Sequence, residues 1–165
     1  MLNEAFEELL VKVNSAAQAV YQNRLVTVAV YGSVGRGTMR HDSDVDVLIV
    51  ACDLPRGRLK RVQEFQAIED ALDDEFRRLA GHGIETTLSP VFKTPEEATV
   101  GSPLFLDMVE DARILYDRNG FFAQRLSHLR NRLTELGAKR IWRGNAWYWD
   151  LKPDFRPGKS LTYDQ

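Results

Sequence analysis

Only one of the 165 residues is cysteine, so the chain forms no internal disulfide and no cysteine zinc site; Cys52 is expected simply to fill a strand end. The three histidines, His41, His82 and His128, stand too far apart to suggest zinc ligation with neighbouring acids. No apolar run approaches the length that spans a bilayer. "MLNEAFEELL" lacks the basic segment followed by an apolar one that marks a signal peptide, so the expected compartment is the cytoplasm, away from any membrane. Internal repeats and low-complexity blocks are missing as well. Two familiar phosphate-binding patterns are also excluded. The "GKS" at 158–160 is no P-loop, because the first glycine that motif requires falls at Pro153, and no G-x-G-x-x-G occurs.

What is present is the composition of an ordinary globular domain, 44% apolar and 28% charged, at a length that predicts one compact domain over 1–165. A core is expected over about 3–117, followed by a C-terminal helix, hairpin and arm over 118–165. The net charge of −2 is unevenly spread: residues 1–116 carry 12 Lys and Arg against 19 Asp and Glu, whereas 117–159 carry 10 against 4. The basic segment is open to nucleic acid, an acidic partner or water. Without interleaved aromatics at a known motif spacing, a solvated surface is expected.

Apolar residues from Phe6 to Val20 recur at helical spacing and predict a helix over 3–22. "RLVTVAVYG" reads as a strand ending at Gly32, and "DVDVLIVA" as a second strand over 45–51. Residues 58–80 predict one long helix with Leu59, Phe65, Leu72 and Leu79 on its apolar stripe, stopped by "GHG". "IETTLSPVF" predicts a third strand, and Pro90 places it at an edge or a bulge. "TPEEA" and "SPLFLDMVEDA" open with a hydroxyl cap followed by proline, as short helices do. "RILYD" predicts a short strand, Asn119 a cap for a helix over 120–136, and "AKRIWRGNAWYWDLK" a hairpin turning near Gly144-Asn145. The tail "PDFRPGKSLTYDQ" is expected to fray. This order implies an α+β fold, a small mixed β-sheet backed by helices.

The chemistry concentrates in "VAVYGSVGRGTMRHDSDVDVLIV", residues 28–50. Residues two apart on a strand share a face, so Asp44 and Asp46 project together, about 6–7 Å apart along the chain. Paired carboxylates repel unless a cation joins them, and Mg²⁺ accepts one or two carboxylates while keeping positions for water and phosphate. Taken alone, the pair is equally consistent with solvated acids at a strand start. The preceding "SVGRG" lets backbone N–H groups approach a phosphate; Ser33 adds a hydroxyl and Arg36 a guanidinium fork. In isolation that segment also reads as a tight turn with a surface arginine. His41 and Asp42 read as hydrated turn residues.

Together the two halves are more specific. Gly32-Ser33 at a strand end, residues 34–43, then Asp44-Val45-Asp46 resembles the signature of the DNA polymerase β-like nucleotidyltransferase superfamily, and "GSVGRG" with "DSDVDVLI" resembles its minimal nucleotidyltransferases. The resemblance implies that Gly32, Ser33 and Arg36 hold the phosphates of ATP or another NTP, and that Asp44 and Asp46 hold one or two Mg²⁺ ions. A nucleoside monophosphate then passes to a hydroxyl with release of pyrophosphate. A third acid of the family pattern activates that hydroxyl. Its candidate is Glu85, which also reads as a charged residue at a strand's first exposed position. Minimal nucleotidyltransferases of this length resemble antitoxins of HEPN-domain toxins, which implies adenylylation of a protein partner. A small-molecule acceptor such as an aminoglycoside, or a catalytically weak module acting by contact, are the alternatives; direct action on nucleic acid ranks last.

Overall fold

A computed structural model describes residues 1–144 and 146–151. Helix α1 (Leu2–Tyr21) leads into strand β1 (Leu25–Tyr31), the short helix α2 (Gly32–Arg36) and strand β2 (Val45–Ala51). Helices α3 (Arg58–Ala71) and α4 (Asp73–Gly81) carry the chain across to β3 (Leu88–Lys93). Helices α5 (Pro95–Val100) and α6 (Leu104–Asp111), strand β4 (Arg113–Asp117) and helix α7 (Phe121–Leu136) follow. A hairpin of β5 (Lys139–Arg143) and β6 (Ala146–Asp150) comes last, turning at Gly144 as expected. The expected arm over 153–165 lies outside the described residues.

The main sheet has the order β3-β2-β1-β4, with β1 antiparallel to both its neighbours and β2 parallel to β3. This is the small mixed sheet the sequence implies. Every residue of β1 is buried, and so is every residue of β2 except Asp46, because helices cover both faces. On one face Phe6, Leu9 and Val13 of α1 and Phe65 and Ile68 of α3 pack on Val28, Val30, Val47 and Ile49. On the other, Phe105 and Met108 of α6 and Phe122 and Leu126 of α7 pack on Ala29, Tyr31, Leu48 and Val50. Each large side chain so buried stabilises the fold by about 1.5–3 kcal/mol relative to exposure. Asp46 is thus the polar interruption in a strand otherwise committed to the core.

Three local expectations are corrected. The helix expected over 58–80 breaks at Leu72 (φ −101, ψ 3), so that Asp73, Asp74 and Glu75 fall in the first turn of α4, where the helix dipole favours carboxylates. Asn119 takes a left-handed φ of 55 and does not cap α7. That work falls to Asp117, whose carboxylate accepts from the Phe122 and Ala123 N–H groups, both at 2.9 Å. The third strand begins at Leu88 rather than at 84. Residues 84–87 meet the 41–45 segment through isolated bonds, Glu85 N–H to the His41 carbonyl and Val45 N–H to the Thr87 carbonyl, not through a continuous ladder.

Candidate active site

The antiparallel register sets Tyr31, the last residue of β1, against Asp46 of β2. Immediately after Tyr31 the chain leaves the sheet at Gly32 with φ +66, a conformation that side chains resist. A second constraint coincides there: a Cβ on Gly32 would lie 2.3 Å from Asp46 Oδ2. The start of α2 and the Asp46 carboxylate are therefore in direct apposition. Gly35, one turn on, meets a different limit. Its Cβ would fall 2.3 Å from the Asp111 carbonyl and 3.0 Å from that of Val30, so α2 is seated directly on the end of α6 and on β1. Gly37 (φ +76) closes α2 and turns the chain toward Asp44.

Asp44 is exposed just before β2, and Asp46 is half-buried within it. Thr87 Oγ1 donates to Asp44 Oδ1 at 3.0 Å, so the carboxylate is held from the β3 side. Burial raises the proton affinity of Asp46, the charge of Asp44 raises it further, and Arg36 works against the rise. A carboxylate opposed both by burial and by a neighbouring acid favours a cation held between the two. The donor set fits Mg²⁺, which needs few protein ligands and leaves positions for water and phosphate oxygens. Tyr31, buried beside them, has its phenol pushed up to about 12 by burial and by the charges of Asp46 and Asp107.

Glu85 lies outside β3 and is exposed. Burial alternates from Ile84 to Pro90, so Glu85, Thr87 and Ser89 share the outward face. The parallel register sets Ser89 opposite Asp46 and, one step earlier, Thr87 beside Asp44. Glu85 is two residues further out, about 6–7 Å along the chain. Among the described residues no group of three or more His, Cys, Asp or Glu side chains is arranged to hold a metal ion. Asp44 and Asp46 thus come together, and Glu85 flanks them without joining them. Thr87 and Ser89 had no motif to reveal them; only the pairing of β2 with β3 places them here.

Arg36 has partners that its position in the sequence does not announce. Nη1 donates to Asp111 Oδ2 at 3.0 Å, and its guanidinium carbon stands 4.7 Å from the centre of the Trp147 ring. His41 is exposed and lines a cleft with Leu2, His82 and Ile84.

A glycine-led turn abutting paired carboxylates at one end of the central strands of a small mixed sheet is an arrangement suited to moving a phosphate-linked group. Residues 13–116, well over half of the chain, match the family described as the nucleotidyltransferase domain, and the chain belongs to that family. A protein of Methanocaldococcus jannaschii named as a candidate protein adenylyltransferase is 28% identical over 132 residues, which are 79% of this chain and 82% of that one. Two solved structures are similar at low identity. One, a toxin–antitoxin crystal structure with AMP-PNP, is 18% identical with a TM-score of 0.46, covering 76% of this chain and 90% of that one. The other, the tri-AMPylated Shewanella oneidensis HEPN toxin in complex with MNT antitoxin, is 16% identical with a TM-score of 0.44, covering 78% and 92%. Among the described residues no helix is long and apolar enough to cross a membrane.

Proposed function

We propose that this nucleotidyltransferase transfers AMP from ATP to a hydroxyl of a protein partner, and that the partner is a HEPN-type toxin which the transfer silences. The observation that carries the reading is the apposition of Gly32 and Asp46, which sets a phosphate-binding turn against two carboxylates that gain from sharing a cation. Family membership supports the reaction class, and the name of the M. jannaschii relative supports a protein acceptor. The toxin as partner rests on the sequence resemblance.

In this reading Gly32 and Ser33 receive the β- and γ-phosphates through backbone N–H groups and the serine hydroxyl. Arg36 contributes its charge while tethered to Asp111. Asp44 and Asp46 hold Mg²⁺, which when bound neutralises phosphate charge as it builds up. The acceptor oxygen bonds to the α-phosphorus, the bond from that phosphorus to the bridging oxygen breaks, and pyrophosphate leaves. Glu85 takes the hydroxyl proton. Most of the catalysis is then positioning and charge neutralisation.

Purified chain, Mg²⁺ and α-labelled ATP are incubated with and without the HEPN-type protein encoded beside it. Label on a tyrosine of that protein, absent with the Asp46→Asn variant, is the expected result; no label on any protein refutes the transfer. A second reading has one observation in its favour. The register gives Asp46 a serine, Ser89, as its β3 neighbour, and among the described residues no third carboxylate joins the pair, as suits a module that neutralises its partner by contact. Neutralisation that survives both Asp44→Ala and Glu85→Ala supports that alternative.

A further inference from the structure

Among the described residues the hairpin β5–β6 pairs only with itself in a separate two-stranded sheet, and such a ribbon is marginal in isolation. It is fastened to the body near the phosphate turn. Arg140 of β5 donates through Nη1 and Nη2 to the two oxygens of Asp111, at 3.0 and 2.8 Å, and also reaches Glu110 at 3.0 Å. The side chains of Arg140 and Asp111 are only 7% and 4% exposed, so this ion pair is shielded from water. Trp149 of β6 donates its indole N–H to the Leu106 carbonyl at 3.0 Å. Trp147 is shared by two cations: Arg140 stands 4.3 Å from its ring centre and Arg36 stands 4.7 Å from it.

Arg36 and Arg140 thus divide one carboxylate and one indole between them. Two guanidinium groups come this close because Asp111 and Glu110 balance their charge. Because Asp111 is engaged twice by Arg140, its bond to Arg36 is a tether through one of the five guanidinium donors. The ring of Trp147 adds a second restraint on the same guanidinium. An arginine otherwise free to adopt many rotamers is held at the foot of α2, with donors left over for an anion.

We propose that Trp147 and Arg140 are positioning residues for nucleotide binding, acting through Asp111 and the Arg36 guanidinium on the phosphate turn. Both hairpin residues lie outside the 13–116 segment that matches the family. Their role rests on the reading that the Gly32–Arg36 turn receives NTP phosphates. Linkage makes the coupling reciprocal: a nucleotide that draws on Arg36 also changes the order of the hairpin.

The test uses the full chain with MgATP, measuring binding by calorimetry, KM and kcat for AMP transfer, and Tm for every variant. Trp147→Ala is expected to weaken ATP binding and raise its KM about 3- to 30-fold, the range of one cation–π contact from exposed to desolvated, with kcat changing less. Trp147→Phe, which keeps an aromatic face, recovers most of the loss. Tyr148→Ala is the control, since Tyr148 lies on the opposite face of β6 and is 45% exposed. A Trp147→Ala protein that binds ATP as wild type does, or a Tyr148→Ala loss as large as that of Trp147→Ala, overturns the proposal. Should Trp147→Ala not fold, amide exchange in the wild-type hairpin decides. A change on adding MgATP upholds the coupling and no change overturns it. Wild-type protein that binds no ATP removes the functional reading and this inference together, whereas normal binding with insensitive Trp147 variants removes only the inference.

Discussion

Asp46 fills the space that a side chain at Gly32 would need, its Oδ2 lying 2.3 Å from the Cβ position. The Gly32→Ala variant is therefore expected to displace the carboxylate as well as strain the turn, at about 1–2 kcal/mol for the positive φ alone. Nucleotide binding and AMP transfer both fall sharply, while the circular-dichroism spectrum stays native. A variant with wild-type transfer contradicts the shared role of these two residues.

Asp46→Asn keeps the shape of the side chain and removes one of two mutually repelling charges. Transfer is expected to drop about 100-fold or more, with Tm at or slightly above the wild-type value. Mg²⁺-dependent activity that persists unchanged rules out Asp46 as a metal ligand.

Gly35 and Gly37 separate space from strain. A methyl group at Gly35 runs into the Asp111 and Val30 carbonyls, whereas at Gly37 nothing lies within 4 Å and only the positive φ opposes it. Gly35→Ala is expected to cost about 1–3 kcal/mol as overpacking and to shift α2. Gly37→Ala costs about 1–2 kcal/mol for the positive φ and leaves nucleotide affinity closer to wild type. Urea denaturation paired with ATP titration checks both, and the reverse ranking for ATP affinity contradicts the seating of α2.

Thr87→Val deletes the hydroxyl that holds Asp44 while preserving shape. One hydrogen bond to a charged group is worth about 1.5–3 kcal/mol, so roughly a 10-fold or greater loss in transfer is expected, partly recovered at high Mg²⁺. Steady-state kinetics across a Mg²⁺ series makes the comparison.

The buried Glu75 governs part of the acid stability. Its hydrogen bond from Arg78 holds the carboxyl below its ordinary value of 4.5; burial opposes this, and Lys12 adds to it. The contribution is present above the unfolded-state value and fades as pH falls through the lower folded-state value. The stability gap between wild type and Glu75→Gln is thus expected to be largest near neutrality and to close in acid. A gap that widens on acidification reverses the sign and rejects the assignment.

The β1–turn–β2 unit was legible because its information is local: glycines, acids and strand patterns all fall within residues 28–50. For the third strand, the sequence left Glu85 open between an acid of the site and a charged residue at the strand's first exposed position. The register of that strand could not be read, because α3 and α4 lie between β2 and β3 and only their packing decides which residue stands beside Asp46. The same holds for Arg36. Its partners, Asp111 and Trp147, lie far along the chain, and ion pairs and stacked rings leave no period behind. At α7 the capping rule picked Asn119 by residue type, but left-handed backbone at Asn119 and Gly120 delivers the free N–H groups to Asp117 instead.

Pro90, in the middle of edge strand β3 and level with Val47, bears on how anything can approach the acids. Proline breaks the row of amide donors that an incoming strand needs, so this border of the sheet resists growth by backbone pairing. A macromolecule that reaches Asp44 and Asp46 from this side must do so with side chains or a loop. Its residues remain free to enter and leave the site rather than become part of the sheet.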